Sequence, residues 1–154
     1  LVPRGIECAW LLHAPAGQLI TLSLEDLEMG DSTLELYDGP TPSSSILAEF
    51  GPRNDSLLAQ AVDSGLQHVI STSNRVYIAF HASRNTNAGR GFSLSYKRGC
   101  DIVVRRPFGA LLSPGATGRL PYPAGADCSY TIELPDASPD HALSLSVEHF
   151  DLAS

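Results

Sequence analysis

Basic charge is scarce in this chain, and long apolar runs are missing. Ten Lys and Arg stand against 17 Asp and Glu over 154 residues, a formal charge of −7. No run of Lys or Arg could track a phosphate backbone, which argues against a nucleic-acid surface. No stretch reaches the length of apolar sequence that spans a bilayer, which argues against direct membrane insertion. The start has neither the basic cluster nor the apolar core of a signal peptide, so the chain reads as an interior piece of a longer protein. The five His, at positions 13, 68, 81, 141 and 149, show no pairing at metal-ligand spacing, which argues against zinc. Cysteine is sparse and odd in number, at three.

What is present is a repeat. PRGIECAW at 3–10 and PAGADCSY at 123–130 align Pro3, Gly5, Glu7, Cys8 and Trp10 with Pro123, Gly125, Asp127, Cys128 and Tyr130. Further on, Leu22-Ser23-Leu24-Glu25-Asp26-Leu27-Glu28 aligns with Leu145-Ser146-Val147-Glu148-His149-Phe150-Asp151. Both lines interleave apolar and polar residues with the period of a strand that buries one face. Two copies of one β-rich unit follow from this. LVPRG at the start also matches a thrombin-site remnant. The repeat favours native sequence for residues 3–5 and leaves Leu1 and Val2 open.

Short runs with strand composition cover Ala9 to Leu12, Leu19 to Leu24, Thr33 to Tyr37, Ser45 to Phe50, Val69 to Ser71, Arg75 to Phe80 and Gly91 to Tyr96. Turn chemistry separates them at 14–17, 38–40, 51–55 and 85–89, while Leu57 to Val62 reads as either strand or a short helical turn. The expectation is an all-β, antiparallel two-sheet sandwich over 1–97 that lacks its first strands. The opening half of a second copy follows over 98–154, with Lys97-Arg98-Gly99 as the joint. An odd cysteine count in an acidic, loop-rich β protein suits an oxidising compartment, with three buried free thiols as the alternative. Cys100 and Cys128 lie in one unit and are expected to pair. Cys8 corresponds to Cys128, so its partner is expected upstream of residue 1. The sequon Asn54-Asp55-Ser56 marks Asn54 as a glycosylation candidate.

The ordered set Cys8-Ala9-Trp10, His13-Ala14-Pro15, Leu34 to Gly39, Ser73-Asn74-Arg75-Val76 and Gly91 to Tyr96 resembles a CUB domain. Cys100, Gly109 to Pro114, Tyr122-Pro123, Cys128-Ser129-Tyr130 and Phe150-Asp151-Leu152 resemble the opening of another. The resemblance implies a jelly-roll-like sandwich, used outside the cell as a non-catalytic recognition module. Trp10 and Phe92 would then fill the space between the sheets, each contributing about 1.5–3 kcal/mol by burial. The second disulfide of many CUB domains has no cysteines here, where Asp31-Ser32 and Glu49-Phe50-Gly51 stand. The three acids that bind calcium in many of them fall at Gly30, Ser32 and Ser83. Glu28 and Asp31 are the nearest compensating carboxylates, and the first unit is expected to carry neither calcium nor another cofactor.

Asp63-Ser64-Gly65 resembles part of a serine-protease nucleophile loop, but the glycines of an oxyanion hole are missing, and no catalytic residue is assigned. Asp26, Glu28 and Asp31 form either a solvated turn or a contact for a basic partner side chain. The polar loop with Arg84, Asn85, Asn87 and Arg90 is expected at the same end of the sandwich, as a second recognition candidate. Two functions suit these features: a recognition module of a secreted or membrane-anchored receptor, or a targeting arm of an extracellular protease. Open sheet edges are expected to be covered by a protein partner, by neighbouring domains of the parent protein or by a second copy.

Overall fold

The computed structural model describes residues 5–52, 65–85, 89–134 and 138–152. Asn54, Asp63, Ser64, Asn87 and the Leu57 to Val62 run lie outside these residues.

All seven expected strands form: β1 (Glu7–His13), β2 (Ile20–Glu28), β3 (Thr33–Asp38), β4 (Ser45–Phe50), β5 (His68–Ile70), β6 (Arg75–His81) and β7 (Gly91–Arg98). They build two antiparallel sheets, ordered β1-β6-β3-β4 and β5-β2-β7. Alternation decides which side chains face inward. Leu22 of β2, Leu34 and Leu36 of β3, Leu47 of β4, Val69 of β5 and Val76 of β6 are wholly buried, and both sheets contribute to this one core. Each such side chain contributes roughly 1.5–3 kcal/mol by leaving water.

The turns are held by polar side chains. Gly39 has φ +154, and a Cβ there would lie 2.4 Å from Ser44 Oγ, so the Tyr37-Asp38-Gly39 reversal tolerates only glycine. Asn74 donates through Nδ2 to Ala14 O at 2.9 Å, while Ala14 N donates to Asn74 O at 2.8 Å. Two of the segments that carry the resemblance are therefore tied to each other.

Trp10 departs from expectation. It meets Phe92 edge-to-face, with ring centroids 5.9 Å apart, yet it stays 45% exposed. β1 ends the larger sheet, and among the described residues it pairs only with β6. Phe92, half-buried and tilted at 56° to Phe80 with ring centroids 5.3 Å apart, is the better-covered ring.

β7 runs into residues 99–104 with almost no slack. Gly99 N donates to Leu19 O, and Thr21 Oγ1 donates to Gly99 O, each at 2.7 Å. β8 (Ile102–Val104) and β9 (Tyr130–Ile132) then pair in parallel, and Cys100 and Cys128 are disulfide-bonded beside them. A second apolar cluster joins Cys100, Ile102 and Val104 to Ile70, with Leu19, Cys128, Tyr130 and Ile132 around it. Leu145, Val147 and Phe150 form no strand and are more than 70% exposed.

Candidate protein-recognition edge

The acidic cluster is placed by a bulge. Apolar residues in β2 are spaced two and then three apart, at Leu22, Leu24 and Leu27, and the register with β7 shifts between Leu24 and Asp26. A strict alternation would turn Asp26 and Glu28 inward beneath Leu24. The extra residue lets Leu27 take the inward place and leaves Glu25, Asp26 and Glu28 exposed.

The late loop returns to these acids. Arg90 Nε donates to Glu28 Oε2, and its Nη2 lies 3.6 Å from Asp26 Oδ2. Gly89 makes the approach possible, since a Cβ there would fall 2.1 Å from Glu28 O. All three charged side chains are more than half exposed, so each ion pair contributes at most about 1 kcal/mol and exchanges readily with other charges. Ser93 Oγ donates to Glu25 Oε2 at 3.1 Å on the same ladder.

Other candidates separate from this pair. Arg84 turns toward the chain start, with its Cγ 3.3 Å from where a Gly5 Cβ would stand. Asn85 N donates to Ser83 Oγ at 3.0 Å. Asp31 is exposed in the turn after β2. Ser32 is wholly buried and accepts from Ser83 N at 3.0 Å, so two of the three positions aligned with calcium-binding acids do lie together, joined by a neutral hydrogen bond. Among the described residues no group of three or more His, Cys, Asp or Glu is arranged to hold a metal ion.

Two polar networks escaped the sequence reading. Asp38 accepts from the N–H and hydroxyl groups of both Thr72 and Ser73, at 2.6–3.2 Å, locking the end of β3 to the turn before β6. Only the Tyr-Asp-Gly spelling hinted at it. On the outer face of the larger sheet, His81 lies 3.8 Å from Glu7 and 3.6 Å from Glu35. Tyr37 donates to Glu35 at 2.7 Å, and this bond, with burial and the nearby carboxylates, pushes the phenol up to about 12. His68 Nδ1 meets Ser23 Oγ at 3.0 Å. Burial lowers the His68 pKa, and the cations Lys97 and Arg106 lower it further, favouring the neutral ring. Cys8 is free and half-buried.

Residues 2–96 match the profile of the CUB domain. Cubilin from Sus scrofa is 28% identical over 97% of this chain, and cubilin from Rattus norvegicus is 31% identical over 99%. The chain spans only 4% of the length of each. Human procollagen C-endopeptidase enhancer 1 is 27% identical, across 99% of this chain and 34% of its own length. Among solved structures, the CUB1-EGF-CUB2 region of human MASP-1/3 superposes with a TM-score of 0.50 at 18% identity, covering 87% of this chain and 66% of that one. That likeness speaks for the fold. The profile match over most of the chain, on the two-sheet sandwich and its motif-bearing turns, shows that the chain belongs to the CUB domain family.

Proposed function

We propose that the chain is a non-catalytic protein-recognition module of a larger extracellular protein, secreted or membrane-anchored, with 98–154 as the opening of a second CUB unit. The single observation that carries this reading is the Asp26–Glu28–Arg90 edge, where exposed charges are displayed by a bulge on a rigid sandwich. Two carboxylates against one guanidinium leave a net negative site. A Lys or Arg of a protein partner can compete with Arg90 for those carboxylates. A receptor ectodomain is the first reading of the parent protein, and the similarity to cubilins, of which the chain spans 4%, suits a long parent chain. The similarity to a procollagen C-endopeptidase enhancer supports the second reading, an arm that serves an extracellular protease. Asn54 carries glycan in either case. Cys8, on the open strand β1, bonds a cysteine of the parent protein, and a partner or second copy covers the open edge.

The test is binding of a fluorescent lysine-rich peptide to the full chain, with a glutamate-rich peptide as control. Asp26→Asn with Glu28→Gln should weaken binding at least tenfold, Arg90→Ala should strengthen it severalfold, and a calcium chelator should leave it unchanged. Equal affinity for all variants overturns the assignment of this edge. Loss of binding in chelator would show a metal site instead.

A further inference from the structure

Strand alternation turns one side chain in two away from the core, and on the outer face of the β1-β6-β3-β4 sheet those side chains are not all polar. Leu11 stands opposite Tyr77, Tyr77 opposite Tyr37, and Tyr37 opposite Ile46, so one apolar and aromatic row crosses all four strands. At the usual strand spacing the row is roughly 14 Å long. Leu11 and Ile46 are exposed, and the two Tyr rings are half-buried with centroids 6.1 Å apart. Single apolar residues on a surface are ordinary, but four in one continuous row are not. A bulge completes the row: the register of β4 with β3 shifts between Leu36 and Tyr37, which lets Leu47 enter the core and brings Ile46 beside Tyr37.

The next row along the strands is Ala9, Ala79, Glu35 and Glu49. Its two alanines make a low floor beside Tyr77, and its two glutamates stand directly opposite each other, where like charges repel. His81 lies 3.6 Å from Glu35 and 3.8 Å from Glu7, while Glu49 has no ion pair among the described residues. Arg75, opposite His13, stands beyond the apolar row on the side away from these acids. A cation from outside the chain would relieve the repulsion between Glu35 and Glu49, and an apolar side chain would cover the neighbouring row. Tyr rings at 60° to each other give no flat platform for a stacked sugar, which favours a protein occupant. We propose that this face docks an extended segment of a protein partner that carries an apolar residue and a Lys or Arg two positions apart. That spacing matches the distance between the two rows, roughly 7 Å along a strand. The stem of the Lys or Arg lies over the alanine floor, and its charged head meets Glu35 and Glu49. The inference rests on the reading of the chain as a protein-recognition module, but on none of the residues of the Arg90 edge.

The probe is a fluorescent heptapeptide, Leu-Ser-Lys-Ser-Leu-Ser-Lys, added to the full chain carrying Asp26→Asn/Glu28→Gln, in which the Arg90 edge is silent. Adding Glu35→Gln/Glu49→Gln should weaken binding at least tenfold, and adding Leu11→Ser/Ile46→Ser at least threefold. Peptides with serine for leucine, or glutamate for lysine, should bind at least tenfold more weakly. Equal affinity across these chains or peptides overturns the proposal, as does binding of cellohexaose in place of the peptide. Carbodiimide coupling to the unaltered chain is decisive even if a variant fails to fold: a peptide lysine should become joined to Glu35 or Glu49. No coupling at either overturns the proposal, and if Asp26 or Glu28 is coupled instead, the Arg90 edge stands alone.

Discussion

Leu22 and Leu145 occupy equivalent places in the repeat and meet opposite surroundings. Leu22 is wholly buried, whereas Leu145 is 72% exposed. The local pattern is the same in both, down to the spacing of two and then three between apolar residues. What differs is company: β2 lies between β5 and β7, while no strand among the described residues pairs with 143–150. Alternation states which face a strand would bury, and only neighbouring strands make the burial real. Trp10 and Tyr130 repeat the lesson in reverse. Trp10 lies on β1, which pairs only with β6 among the described residues, while Tyr130, beside β8, is half-buried and donates its hydroxyl to Leu112 O at 2.9 Å.

The largest test of this contrast is a paired truncation. Leu22→Ala should cost about 2–5 kcal/mol in denaturant unfolding. Leu145→Ala should change stability by no more than about 0.5 kcal/mol. A large loss at Leu145 would mean that its segment is paired in solution. The cysteines give the next contrast. Replacing Cys100 and Cys128 by Ser should cost about 2–4 kcal/mol, since their bond closes a loop with a sequence separation of 28. Cys8→Ser should cost about 1 kcal/mol or less by the same measurement.

Asp38→Ala removes a carboxylate that serves four donors, and should cost about 1.5–3 kcal/mol. A loss below about 0.5 kcal/mol would show that water replaces the carboxylate there. The smallest effect concerns pH. The folded state holds the His68 pKa below its ordinary 6.5, so the unfolded chain takes up this proton first as pH falls. The contribution is absent above 6.5 and becomes a loss of stability below it, continuing until the folded-state pKa is passed. His68→Gln should flatten the stability profile just below pH 6.5. An unchanged slope would place the acid sensitivity elsewhere.

Much of the first sandwich was legible in the residues. Strand positions followed from alternation, because one face of each strand is buried by the opposite sheet. The bulge in β2 was written in the spacing of Leu22, Leu24 and Leu27, although alternation alone passes over it. The meeting of Arg90 with Glu28 was legible only as two polar loops at one end. Their contact depends on Gly89 and on the register of β7. Asp38 could not be read, because its partners are 34 and 35 residues away and turn toward it only after both sheets form. The parallel pairing of β8 with β9 was hidden for a similar reason, as pattern carries a strand's face but not its partner's direction. The exposure of Trp10 depends on what lies beside β1, which no local pattern contains.

Native-state hydrogen exchange on the unaltered chain tests the contrast between the two repeated sequence segments most directly. Amides of β2 and β6 should exchange only through global unfolding, and those of 143–152 at nearly the rate of an unstructured peptide. Protection of 143–152 equal to that of β2 would contradict the account, because both segments would then be folded strands with partners.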